Sequence, residues 1–297
     1  MLDFKCITLA DVEKIRKYFG YSTNRTCDNT VGGTFMWREY FSMEYALHND
    51  TLITKMGVKL YDGCPASFLL PLGKDRAGAV AAIDEYCRDK GLPVVFGLVT
   101  KDELPFLSSV YGNINLYQNP DWSDYIYKAN DLVSLAGRKY HGQRNHINYF
   151  NRTHGDYSFE EISGSNVGEV REFYSDLCLT VSKDSDFFIE DQIKTLEVLD
   201  NYNVYGLFGG LIRIGRTIAA FSIGEICNDT LFVHIEKTDP GYRGIQQVIN
   251  NEFAKHYITG GVEFINRCED VGDEGLRIAK QSYHPYDLID KYIVSVV

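Results

Sequence analysis

The sequence predicts an α+β protein of two tandem units with mixed sheets. Three observations predict it. Each half reads as a meander of strands followed by helix, strand and helix; Gly and Asn/Asp turns punctuate both halves in the same order; and 297 residues, at roughly 150 per domain, leave room for two such units. The expected division is 1–130 and 131–297. The duplication lies in the order of elements, since letter-level similarity between the halves is slight.

In the first half, Leu9 to Tyr18 carries helical spacing behind a capping Thr8. Thr51 to Leu60 and Ala66 to Leu70 form a strand pair turned at Asp62-Gly63. Asp75 to Lys90 places Ala79, Ile83, Tyr86 and Cys87 at helical spacing and stops at Gly91; Leu92 to Val99 is a short apolar strand and Asp102 to Val110 a second helix. In the second half, Val204 to Ile214 and Thr217 to Ile226 are strands parted by Gly215-Arg216, and Asn228-Asp229 turns into the strand Thr230 to Lys237. Gly244 to Tyr257 is a helix stopped by Gly260-Gly261; Val262 to Asn266 is a strand and Asp273 to Gln281 a helix. Between the halves, Ala136 to Arg152 holds Arg138, Lys139, Arg144 and Arg152 without one Asp or Glu, and forms a basic helix with Ile147 and Phe150 on an apolar stripe.

Composition narrows the function. Apolar residues at 44% and charged residues at 24% exclude disorder, collagen and coiled coil. No apolar run nears the ~18 residues of a membrane span, and the longest, Tyr205 to Ile214, is broken by Gly206, Gly209, Gly210 and Arg213. Met1 to Lys5 lacks the pattern of a signal peptide, so a cytoplasmic protein without integral membrane association is expected. Seven cysteines, an odd number without CxxC, suit packed thiols in a reducing compartment. His141 and His146 lie off helical i,i+4 spacing, and no metal is expected. The net charge of −11 opposes general nucleic-acid binding and excludes DNA as a partner, while a local basic patch leaves tRNA open.

The most informative segment runs from Leu231 to Gln247. A strand enters a turn bracketed by Gly241 and Gly244, and the turn opens a helix whose free N–H groups suit a diphosphate. His234 and Glu236 alternate with Val233 and Ile235 and are expected on one face. Glu236 beside Asp270 would be a like-charge pair with one raised pKa, useful for deprotonating an amine. The turn Cys268 to Gly275 supplies further carboxylates, with Asp273 and Glu274 equally suited to capping the last helix. Tyr283 is placed to protonate a leaving thiolate, or is a packed tyrosine.

The strings Lys139-Tyr140-His141-Gly142-Gln143-Arg144-Asn145-His146, His234-Ile235-Glu236-Lys237, Tyr242-Arg243-Gly244-Ile245 and Asn266-Arg267…Glu269-Asp270-Val271-Gly272…Ser282-Tyr283-His284-Pro285 resemble the C-terminal domain of phosphatidylglycerol lysyltransferases and their soluble relatives. The resemblance implies two tandem GNAT-like acyltransferase domains with the active cleft on the second. The first domain, with Leu70 to Lys74 where the loop would stand, is implied to be non-catalytic. Tyr242 to Ile245 resembles the GNAT pyrophosphate loop, with Ile245 where that pattern has another glycine. On this basis Ile235, Lys237, Tyr242, Arg243, Gly244, Ile245, Gln246 and Asn266 are expected to hold an acyl-CoA. Glu236, Asp270 and Tyr283 are expected to act on a small-molecule amine or hydroxyl acceptor. Lys139, Arg144, Asn145, His146, Arg267, Asp273 and Glu274 are expected to touch the acceptor or, with an aminoacyl-tRNA donor, the tRNA. The non-enzymatic alternative is a duplicated ligand-binding module.

Overall fold

Apolar residues that recur every three to four positions bury one side of a helix, and alternating ones bury one face of a strand. In the computed structural model, which describes residues 2–57, 65–180 and 186–297, such segments sort into two units. One gathers Met1–Asp124, Glu269–Gly272 and Leu288–Val297; the other gathers Tyr125–Cys268 and Asp273–Asp287. A linear cut at 130 does not contain this return of the C-terminus to the first unit.

The first unit begins with β1 (Lys5–Cys6), α1 (Val12–Phe19), α2 (Val31–Trp37), β2 (Met43–His48), β3 (Thr51–Met56), β4 (Ser67–Phe68) and β5 (Leu72–Gly73). It continues with α3 (Arg76–Lys90), β6 (Val95–Thr100), α4 (Leu104–Tyr111) and β7 (Ile114–Gln118). The Asp75 carboxylate caps α3 by accepting the Gly78 N–H at 3.0 Å, and Gly91 ends it at φ 63°, a conformation glycine takes without Cβ strain. The expected turn at Asp62-Gly63, and Cys64, lie outside the described residues.

The second unit holds β8 (Asp124–Lys128), α5 (Ala129–Ser134), α6 (His141–Thr153), β9 (Tyr157–Glu161), α7 (Val167–Thr180), α8 (Asp186–Asp200) and α9 (Tyr202–Tyr205). Then come β10 (Phe208–Ile214), β11 (Thr217–Cys227), β12 (Thr230–Thr238), α10 (Ile245–Tyr257), β13 (Phe264–Asn266) and α11 (Glu274–Gln281); β14 (Asp287–Ile289) starts in this unit and ends in the first, to which β15 (Lys291–Val296) belongs. Val204 and Tyr205, expected in a strand, belong to α9, which Gly206 ends at φ 57°. The α+β class is as the sequence predicts: both sheets are mixed, and the run of strands, helix, strand and helix occurs in each unit.

Each sheet takes in one strand from a distant part of the chain. The first runs β1-β2-β3-β4-β6-β15-β7, with β5 on β3; the second runs β14-β8-β13-β12-β11-β10-β9. The core of the second unit sets Leu231 and Ile265 of its sheet against Phe253 and Ala254 of α10. Its other part packs Phe150 of α6 and Ile245 and Ile249 of α10 on Ile212 and Ala219. Full burial of each such side chain stabilises by about 1.5–3 kcal/mol. Among the described residues, no helix is long and apolar enough to cross a membrane.

Candidate active site

The strands β12 and β13 run parallel, with Thr230, Leu231 and Phe232 opposite Phe264, Ile265 and Asn266. There β13 ends and the chain turns at Cys268, while β12 continues to Thr238 beside β11 alone. The parting strands leave a narrow crevice, not wide enough here for a water molecule, lined by Leu231, Val233 and Glu236 of β12, Ile265 of β13, and Asn250, Phe253 and Ala254 of α10.

A β-bulge decides which side chains enter it. Ile223 of β11 faces Ile235, but Gly224 faces Val233, so His234 is one residue too many. Gly224 suits the site because a Cβ there would meet the Phe232 carbonyl oxygen at 2.2 Å. The inserted residue breaks the period of two. It moves Glu236 into the crevice with Leu231 and Val233, while the His234 ring lies parallel to that of Phe232, 6.2 Å away. The expectation that His234 and Glu236 share a face is therefore corrected.

Glu236 is matched with cations and amides rather than with another carboxylate. Its Oε1 accepts Arg267 Nη2 at 2.9 Å and its Oε2 accepts Asn250 Nδ2 at 3.3 Å. The Arg267 guanidinium lies 5.0 Å from the ring centre of Tyr283, which meets the Tyr127 ring edge-on. Burial works against the Arg267 charge, yet Glu236 holds its pKa above the ordinary value. Burial raises the Tyr283 phenol, keeping it a proton donor. Three buried atoms here have no hydrogen-bond partner among the described residues: Arg267 Nη1, Asn250 Oδ1 and the Tyr283 hydroxyl. Each such unmet group costs about 1–3 kcal/mol, and folds seldom leave three together without a reason.

The turn into α10 lies against the basic helix. The Ile245 N–H donates to Tyr242 O at 3.1 Å and the Gly241 N–H to Asp239 Oδ1 at 2.8 Å; the amides of Arg243 and Gly244 take no acceptor among the described residues. A Cβ on Gly244, at φ 92°, would sit 2.5 Å from the His146 carbonyl oxygen of α6. The Arg243 guanidinium stacks on Tyr149 at 4.7 Å. Lys139 is tied to Asp131 at 3.0 Å, and Arg144 donates to the carbonyls of Leu135 and Gly137. Asn145 Nδ2 lies 3.0 Å from His141 Nε2, and the His146 residue is exposed. Arg138 and Arg152 are exposed and carry no ion pair among the described residues.

The remaining expected residues are dispersed. Lys237 Nζ pairs with Asp191 of α8 at 2.5 Å, and the Ile235 carbonyl accepts the Ser222 hydroxyl at 3.0 Å. The Asn266 side chain accepts the Cys268 N–H at 2.6 Å, and Gln246 is half-buried. Asp273 caps α11 through the Leu276 N–H at 2.7 Å, with Glu274 exposed in its first turn. Asp270 belongs to the first unit, where it accepts the Gly272 N–H at 2.9 Å. Thus Glu236, Arg267 and Tyr283 come together, and Asn250 and Tyr127, which sequence reasoning missed, complete the cluster. The available signal was a polar pair, Asn250-Asn251, among the apolar residues of α10.

Residues 19–295 match the family model described as phosphatidylglycerol lysyltransferase, C-terminal. A conserved protein of unknown function from Bacteroides thetaiotaomicron superposes with a TM-score of 0.91 at 29% identity, covering 100% of both chains. The L-PGS of Bacillus licheniformis superposes at 0.64 with 14% identity over 95% of this chain and 91% of that one, a likeness of fold. An uncharacterised protein of Mycoplasmoides gallisepticum is 22% identical over 249 residues, 72% of this chain and 78% of that one.

Proposed function

Because the chain belongs to the phosphatidylglycerol lysyltransferase C-terminal family, we propose that its second unit is an acyltransferase working in the β12–β13 crevice. The observation that carries this reading is the trio of unpartnered buried atoms around Glu236. In it, the narrow crevice widens to admit the donor carbonyl, and Arg267 Nη1 meets the oxygen on which negative charge develops. A preorganised donor of this kind is worth about 3 kcal/mol. Tyr283 protonates the leaving group, and Glu236 faces the acceptor amine or hydroxyl and receives its proton.

The donor proposed is an acyl-CoA, its diphosphate on the amides of Arg243 and Gly244 where α10 begins. A second reading, an aminoacyl-tRNA donor, is favoured by the exposed Arg138 and Arg152 beside α6. Lys139 and Arg144 already have protein partners, so Arg138 and Arg152 are the residues to reverse. Titration calorimetry with CoA, and tRNA binding across a salt series, separate the readings. With tRNA as donor, Arg138→Glu/Arg152→Glu weakens tRNA binding and lowers the salt slope by about two, leaving CoA unaffected. A chain that binds neither carrier is not an acyltransferase of this type and is instead a binding module.

A further inference from the structure

The residue displaced by the bulge has its own partners. His234 Nε2 lies 2.9 Å from Glu225 Oε1 on β11, and its Nδ1 lies 3.9 Å from the Sγ of Cys268, just past the end of β13. The Cys268 thiol also donates to the Val233 carbonyl at 3.5 Å. Glu225 is 8% exposed and the His234 side chain 3%, whereas Cys268 is half-buried. Thiol, imidazole and carboxylate thus stand in the order that activates a nucleophile: the acid fixes the ring, and the ring takes the thiol proton. The thiol sits where β12 and β13 part, and its neighbour Arg267 carries the unpartnered Nη1.

We propose that Cys268, with His234 and Glu225, is a nucleophile that accepts an activated acyl group as a thioester. The carbonyl substrate is an ester or thioester; the choice of acyl carrier rests on the acyltransferase reading above, while the activation of the thiol does not. In the first step the thiolate sulfur bonds to the acyl carbon, the carbon–heteroatom bond to the carrier breaks, and the His234 imidazolium protonates the departing carrier. In the second, an acceptor amine attacks the thioester, the carbon–sulfur bond breaks, and neutral His234 takes the amine proton, restoring the thiolate–imidazolium pair. Burial lowers the His234 pKa, but Cys268 and Glu225 outweigh it and raise it to about 10, so the ring is charged at neutral pH. Cys268 and Glu225 are the titratable groups that raise it; Glu269, the residue after Cys268, sets a carboxylate oxygen within 4.8 Å of the Cys268 sulfur and opposes a charge there.

The test has two arms on the full chain. Site-resolved alkylation by iodoacetamide between about pH 6 and 9 compares Cys268 with the exposed Cys6. Cys268 is expected to react at least about tenfold faster than Cys6 near pH 6, with a nearly flat pH profile, and to lose that lead in His234→Gln. In the second arm, p-nitrophenyl acetate leaves one acetyl group on Cys268, located by peptide mass spectrometry and absent in Cys268→Ser and His234→Gln, with circular dichroism confirming their fold. A Cys268 profile that parallels Cys6, or no acetyl on Cys268 in the parent chain, overturns the proposal. Acetylation of Cys268 in a chain that binds neither CoA nor tRNA supports the triad and removes only the carrier assignment.

Discussion

Each unit buries a cluster of charge around one cation, and the two differ in how far the cation's partners are matched. In the first unit Lys291, 1% exposed, pairs with Asp28 at 2.7 Å, Asp124 at 2.9 Å and Glu269 at 3.6 Å. The second oxygen of Asp124 accepts the Cys27 N–H at 2.7 Å. In the second unit Glu236 and Arg267 satisfy each other on one side only, and Arg267 Nη1, Asn250 Oδ1 and the Tyr283 hydroxyl stay open. The first cluster is closed by charge, since Lys291 meets all three acids although Asp28 Oδ2 has no hydrogen bond, and it ties β15 to positions 28 and 124 as well as to the nearer Glu269. The second leaves three buried polar atoms unmatched, and it is there that the proposed chemistry is placed.

The largest effect should come from breaking the closed cluster. Lys291→Met leaves the buried Asp124 and the half-buried Asp28 and Glu269 without their cation, and should cost about 3–5 kcal/mol, seen as a lower urea midpoint. Its partners should not respond alike. Burial is the largest influence on Glu269, but Lys291 together with hydrogen bonds from Asp124, the backbone and Cys27 outweighs it and holds its pKa down at about 2, whereas burial prevails at Asp28 and raises its pKa. A depressed carboxylate contributes stability above its unfolded pKa and loses it as pH falls through the folded value. The Glu269 share is therefore lost between about pH 4.5 and 2, while Asp28 opposes folding at neutral pH. Glu269→Gln should accordingly destabilise more than Asp28→Asn at pH 7. Equal losses would mean that the cluster does not discriminate between its acids.

The second unit should respond at the opposite end of the pH scale. The folded pKa of His234 lies above its unfolded value, so its contribution is complete below about pH 6.5 and is lost as pH rises through about 10. The loss should be on the order of 5 kcal/mol and should vanish in His234→Gln, as followed by the urea midpoint at a series of pH values.

What the sequence made legible followed from local pattern. Glycines marked the end of α3 at Gly91 and the start of α10 at Gly244, and Asp273 marked a helix cap. Glu236, Arg267 and Tyr283 could be singled out because each stands beside a turn or strand end. What stayed hidden depended on contacts across the chain. One inserted residue in β12 reverses the faces of His234 and Glu236, and nothing in Val233-His234-Ile235-Glu236 announces it; Gly224 on the neighbouring strand is the only trace. Lys291 carries no motif because its three acids come from positions 28, 124 and 269. Cys268 reads as one of seven unremarkable cysteines until the fold sets it beside His234.

Tyrosine hydroxyls inside the second unit sharpen the contrast between open and closed groups. Tyr127 donates to the Lys280 carbonyl at 2.8 Å, whereas the Tyr283 hydroxyl has no partner among the described residues. Tyr127→Phe should cost about 1 kcal/mol of stability, by removing one of the hydrogen bonds to that carbonyl, and leave transfer nearly intact. Tyr283→Phe should leave stability unchanged and slow acyl transfer by about 10²-fold in kcat, with little change in KM. A destabilised Tyr283→Phe with normal kcat would reassign Tyr283 to the closed class.

The smallest effects separate two glycines of the α6–α10 contact. Gly142 in the first turn of α6 has nothing within 4 Å of the place a Cβ would occupy, so Gly142→Ala should gain up to about 1 kcal/mol by stiffening the unfolded chain. Gly244 adopts φ 92°, and its Cβ would meet the His146 carbonyl oxygen at 2.5 Å and Phe150 Cβ at 3.3 Å. Gly244→Ala should therefore cost about 1–3 kcal/mol in the thermal unfolding midpoint and move α6 away from the turn that presents the Arg243 and Gly244 amides. If CoA binding weakens with Gly244→Ala and holds with Gly142→Ala, the turn is part of the donor site. If neither substitution changes it, the helix start serves only to join β12 to α10.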